Sequence, residues 1–183
     1  MKAIIIIIVI AALLVLWVIG VQRKLVEKDE LCKNALSQIG VQQASRWDAL
    51  TALVELVKSY NEHEYKTLRD VISMRKNITG ESTTADAQAQ EEALGRLVRN
   101  INVVAEQYPD LKANDNYAKT MDAVNTYENQ VRMSRMTYND TVTKYNKEIR
   151  MFPTSLVAGI LGFSTREYLN EAVGKTEMPS MNI

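Results

Sequence analysis

The residues able to do chemistry are few, and each stands at a telling position. His63 is the only histidine and lies in Glu62-His63-Glu64. A di-metal helical bundle needs a Glu three residues before a His on each of two helices. Position 60 is Tyr and no second His exists, so no metal site is expected. Cys32 is the single cysteine; it cannot form an internal disulfide, and structural zinc needs about four ligands. It reads as a small apolar core residue. No glycine-rich phosphate loop or nucleophile elbow occurs, so no cofactor and no enzymatic activity are expected.

The remaining polar candidates sit on apolar stripes. Gln43, Arg46, Glu64, Glu128 and Arg135 all stand where a helix should face its neighbours. Truncating one partner of a buried charge pair costs about 3–5 kcal/mol, so such charges need partners. The opposite signs suit Glu128 to Arg46, and Arg135 to Asp48, Glu55 or Glu64. Polar residues at such positions fix register at some cost in stability. Tyr138-Asn139 and Tyr145-Asn146 repeat seven residues apart. A buried Tyr ring still needs a partner for its hydroxyl. These pairs are therefore read as packing and register residues.

The elements that position these groups are long helices. Tyr117, Met121, Val124, Glu128, Val131, Arg135, Tyr138, Val142, Tyr145, Ile149 and Phe152 follow unbroken four-three spacing. That is one helix with a narrow buried seam, roughly 54 Å long at 1.5 Å per residue, ended by Pro153. Asn114 or Asp115 can cap its start. Cys32, Leu36, Ile39, Gln43, Arg46, Leu50, Leu53, Val57, Tyr60 and Glu64 make a second stripe. Leu68, Val71 and Ile72 continue it after a small phase slip, so the first helix is expected to reach about residue 76. Residues 77–90 read as a loop and the start of the next helix. Ala93, Leu94, Leu97, Val98, Ile101, Val104, Ala105 and Tyr108 form the second helix, stopped by Pro109. Short connections predict an up, down, up order. A short fourth helix is expected over residues 165–173.

Ala3 to Val21 carries no charge. About 19 helical residues span about 28 Å, close to the hydrocarbon thickness of a bilayer. The run exceeds the 7–15 apolar residues typical of a cleaved leader, so an uncleaved anchor is expected. Lys2 precedes it; Arg23, Lys24, Lys28 and Lys33 follow, which favours a cytoplasmic bundle. Lys plus Arg and Asp plus Glu are each 22, giving zero net charge. A basic nucleic-acid face is not implied.

The expected architecture is all-α: an N-terminal transmembrane helix continuing into an antiparallel up-down bundle of three long helices plus a short C-terminal helix. The divisions are residues 1–24 (anchor), 25–173 (bundle) and 174–183 (tail). Leu156, Ile160, Leu161 and Phe163 belong to an apolar stretch too short to span a bilayer. It either folds against the bundle or contacts lipid or another subunit.

Several segments together resemble the LemA family. They are Arg46-Trp47-Asp48, Leu53-Val54-Glu55, Val57-Lys58, Tyr60 and His63-Glu64; then Glu106, Tyr108-Pro109-Asp110-Leu111-Lys112-Ala113-Asn114, Glu128-Asn129, Arg135 and both Tyr-Asn pairs; then Phe152-Pro153, Ala158 and Gly162-Phe163. Thr51-Ala52 stands where the family usually has Pro-Asn, and Ser59 where it has Gly, so a straighter first helix is expected. The resemblance implies a single-pass bacterial membrane protein with a helical bundle, and no established reaction or catalytic residues. The expected role is self-association at the membrane as a homo-oligomer, with lipid bound through the span. An adaptor that recruits a soluble partner is the alternative.

Overall fold

A computed structural model describes residues 1–170, in which six helices and no strand are present. α1 (Lys2–Lys58) is one uninterrupted helix of 57 residues. It includes the apolar run, which is exposed on all sides, and then the bundle's central stripe. It is the only described helix long and apolar enough to cross a membrane.

The expected continuation of the first helix to residue 76 does not occur. The chain turns at Ser59-Tyr60-Asn61, and α2 (Glu62–Ile72) starts afresh. Asn61 supplies the reason: its side chain accepts from the His63 and Glu64 amides at 2.8 and 3.2 Å. It thereby satisfies donors that a helix start leaves open. The phase slip in the stripe marks this break. The absence of the family's Pro does not remove it.

α2 and the segment after it then descend along α1. Tyr65 reaches Glu55, Arg75 reaches Asp48, and Ile78 lies on Gly40. A Cβ at Gly40 would stand 2.0 Å from the Ile78 carbonyl oxygen, so only Gly admits this crossing. Lys33 pairs with Glu81 still lower down.

α3 (Thr84–Gln107) begins at a capping box formed by Thr83 and Asp86. It climbs parallel to α1, since Gln43 meets Ala87 and Arg46 meets Glu91. Pro109 does not simply stop the chain; it opens the one-turn α4 (Pro109–Lys112). Asn114 caps α5 (Asp115–Arg150), accepting from the Asn116 and Tyr117 amides. α5 runs back down α1, with Glu128 at Arg46 and Glu148 at Lys24.

The direction of travel therefore differs from up, down, up. α2 and residues 73–83 form the first return leg, α3 goes up, and α5 comes down. The seam of α5 buries Tyr117, Val124, Val131, Tyr138, Val142, Tyr145 and Ile149. Phe152 leaves the seam and is exposed, because the helix has ended at Arg150.

The short last helix also lies elsewhere than expected. α6 is Thr154–Leu161, closed by Gly162 in the left-handed conformation. Residues 165–170 are non-helical, and 171–173 and the proposed tail fall outside the described residues. Residues 164–170 form an extended strap that climbs between α1 and α5.

Two apolar clusters result. The upper one joins Trp47, Leu50, Leu53, Leu94, Leu97, Ile101 and Val124. The lower one joins Leu25, Cys32, Leu36, Ile39, Val131, Tyr138, Tyr145 and Leu169.

Candidate functional site

The polar groups gather in two places, both set by α1 and α5. The first is a layer between the two apolar clusters. Arg46 is 2% exposed. One terminal nitrogen, Nη1, donates to Glu91 Oε1 at 2.8 Å, and the other, Nη2, donates to Glu128 Oε2 at 2.8 Å. Gln43 Nε2 donates to the Ala87 carbonyl at 3.0 Å and lies 3.3 Å from Glu91 Oε2. One guanidinium is thus clasped by two carboxylates from different helices. Each charge-assisted bond is stronger than a neutral one, and the fork fixes both helices against α1.

Above this layer, Trp47 Nε1 donates to Gln90 Oε1 at 3.1 Å. The same amide group accepts from the Lys76 amide and donates to the Met74 carbonyl. Gln90 thereby ties the descending segment to α1 and α3.

An open groove of about 650 Å³ lies beside the layer, with Arg46, Glu91, Glu128 and Arg135 on its walls. Its basic and acidic residues largely offset one another.

The second place is the strap. Asn146 Nδ2 donates to the Arg166 carbonyl, and its Oδ1 accepts from the Arg166 amide, both at 2.9 Å. Asn139 repeats this pattern with Leu169, again at 2.9 Å for each bond. The Tyr138 hydroxyl donates to the Glu167 carbonyl at 3.1 Å, and Arg135 donates to the Asn170 carbonyl. The spacing is matched: seven helical residues rise about 10.5 Å, and three extended residues rise about 10 Å. Asparagine is suited to the task because one side chain presents both an acceptor and donors, as a backbone amide group does. The ladder reads backbone and not side-chain identity.

Arg166 adds a charged lock, its Nε donating to Asp29 Oδ1 at 2.7 Å. The Asp29 partnership raises the Arg166 pKa above its ordinary value. Burial pushes up the Tyr138 and Tyr145 hydroxyls and the Cys32 thiol. Cys32 is held protonated inside the lower cluster, where a thiolate is disfavoured.

Arg46 and Glu128 come together. Arg135 does not meet Asp48, Glu55 or Glu64; it faces the strap because α5 runs downward past α1. Asp48 pairs with Arg75 at 2.6 Å, and Glu55 accepts from the Tyr65 hydroxyl. Glu64 stands in the first turn of α2, where its amide donates to Asn61. Asn139 and Asn146 clamp the strap. Leu156, Ile160 and Leu161 are exposed, while Phe163 packs against the lower cluster.

Sequence reasoning missed Glu91, Gln90, Asp29 and Arg166. Stepping back by three and four from Leu94 reaches Glu91, Gln90 and Ala87. The α3 stripe therefore extends back into residues 77–90, the stretch read as a loop and the start of the next helix. No periodicity marks Arg166, because its segment is extended.

The LemA family profile matches residues 35–182. Magnetosome protein MamQ 2 of Paramagnetospirillum magneticum is 37% identical over 79 residues, covering 43% of this chain and 28% of that protein. MamQ of Magnetospirillum gryphiswaldense is 33% identical over a stretch of the same length, also 28% of that protein. Protein LemA of Metamycoplasma hominis is 24% identical over 141 residues, 76% of this chain and 64% of that protein. The chain thus spans less than a third of the MamQ proteins and just under two thirds of the mycoplasma protein. With the profile extending over most of the bundle and the strap, the chain belongs to the LemA family.

Proposed function

We propose that the protein is a membrane-anchored helical bundle without enzymatic activity that acts by self-association at the bacterial membrane. The observation that carries this reading is α1 itself. One helix holds an exposed apolar run of bilayer length and the axis of the bundle without interruption. At 1.5 Å per residue it is about 85 Å long, so the position of the span in lipid is passed rigidly to the bundle. Rods tethered in this way are confined to two dimensions, which raises their effective concentration for side-by-side packing. The polar layer supports a structural role. Arg46 has both terminal nitrogens bonded to carboxylates, so its charge serves helix alignment. Arg23, Lys24, Lys28 and Lys33 after the run favour a cytoplasmic bundle.

The test is the size of the full chain in lipid nanodiscs and in detergent, measured by light scattering across a wide concentration range. The reading expects a defined oligomer. A monomer at every concentration overturns self-association, and recovery of the chain from the soluble fraction overturns the anchor.

A further inference from the structure

The register of α5 on α1 determines where the lower end of α5 lies. Glu128 meets Arg46, and Glu148 meets Lys24. α5 ends two residues later at Arg150, and the Met151-Phe152 turn and α6 follow at the level of Val21 and Leu25, where the apolar run ends. At that level the chain exposes an apolar surface. Phe152 is 78% exposed and Ile160 85%, with Met151, Leu156 and Leu161 beside them. α6 is not adrift there. Val157 and Ala158 are buried, and Ala158 joins Leu25 and Ile149 in the lower cluster, against which Val21 and Phe163 pack. One face of α6 is thus fixed to the bundle and the other faces outward. Arg23, Lys147 and Arg150 are exposed cations on the adjoining turns of α1 and α5.

The geometry points to α6 and the Met151-Phe152 turn as a second membrane contact, seated in the headgroup–acyl boundary of the leaflet that α1 leaves. This rests on the reading of α1 as a span. A helix of eight residues cannot cross a bilayer, and its length suits the interfacial plane. An outward apolar face at the level where the span ends is covered by lipid. The three cations beside it stand at headgroup height, where anionic lipid phosphates attract them. Two contacts on one leaflet hold the bundle at a fixed tilt, so that neighbouring rods meet in a single orientation.

The test places an environment-sensitive thiol label on the full chain in vesicles that contain anionic lipid, in a Cys32→Ala background. Labels go at Phe152→Cys and Ile160→Cys, at Leu13→Cys within the span, and at Met133→Cys on an exposed turn of α5. All four labelled side chains are exposed, so the labels leave the core untouched, and the buried Cys32→Ala change is common to all four variants. Lipids carrying a nitroxide high on the acyl chain serve as quenchers for 133, 152 and 160, and lipids carrying it near the acyl end serve for 13, which lies close to the middle of the run. The expected result is quenching of about two-fold or more at 152 and 160, with none at 133. Quenching at 13 but not at 152 or 160 overturns the second contact and leaves the anchor standing. A blue-shifted, unquenched label at 160 also overturns it and assigns the face to a second copy. Absence of quenching at 13 overturns the anchor itself.

Discussion

Arg46 shows how one side chain sets the register of three helices. Its guanidinium is buried, and its partners Glu91 and Glu128 are side chains 21% and 34% exposed. Arg46→Ala removes the cation that bridges Glu91 and Glu128. It is expected to cost about 3 kcal/mol, read from denaturant unfolding in detergent. Asp86 carries a different signature. The Lys76 ammonium, and then Thr83, hold its carboxyl at about 2, below the ordinary 3.8. A depressed carboxyl stabilises the fold above its ordinary pKa and loses that effect as pH falls through the folded value. Asp86→Asn is therefore expected to lower the melting temperature at pH 6 and to converge with the parent chain near pH 2. Persistence of the full difference at pH 2 rules out the ion-paired cap as its source. Arg46 and Glu128 were legible from stripe phase alone. Glu91 stands among polar residues just before Ala93, so apolar periodicity does not single it out.

At the scale of elements, the strap shows how an extended segment can replace a helix. α3 begins only at Thr84 and reaches the lower cluster through Ala87 alone, so residues 164–170 cover the rest of α1 and α5 there. Asn146→Ala removes both bonds to Arg166, at about 1 kcal/mol each, for an expected loss of about 2 kcal/mol. Amide exchange should accelerate strongly at Arg166 and less at Leu169, which keeps Asn139. Equal acceleration at both would mean that the strap opens as one unit. Gly40 is the other hinge of this half. Gly40→Ala drives a methyl group into the Ile78 carbonyl, and it should destabilise the fold despite the higher helix propensity of Ala. A neutral or stabilising result would show that residues 77–83 shift without cost.

For the whole molecule, the turn at Asn61 decides the outcome. Its side chain caps α2 and donates to the Tyr108 hydroxyl at 2.6 Å. Without that turn, α1 would continue upward and α5 would end far from the apolar run. With it, one extra return leg brings α5 and α6 down to the level at which the apolar run of α1 ends. Asn61→Ala is expected to cost about 1–2 kcal/mol through the lost cap, measured by thermal unfolding. A helix that instead extended through Tyr60 in the variant, seen as added protection there, would show that the cap alone enforces the turn.

Composition, the uncharged run and four-three spacing determine an all-α fold class with a bilayer-length apolar segment and three long helices. These are properties of residues within about two turns of one another, which a linear pattern records. The same patterns carry no sign for direction. A stripe is apolar whether its helix runs up or down, and a short connection can return the chain through an extended leg as well as through a helix. The parallel course of α3, the placing of Arg135 on the strap and the seat of α6 at the end of the apolar run depend on contacts between residues far apart in the chain. Those contacts exist only once the tertiary structure has chosen which faces meet.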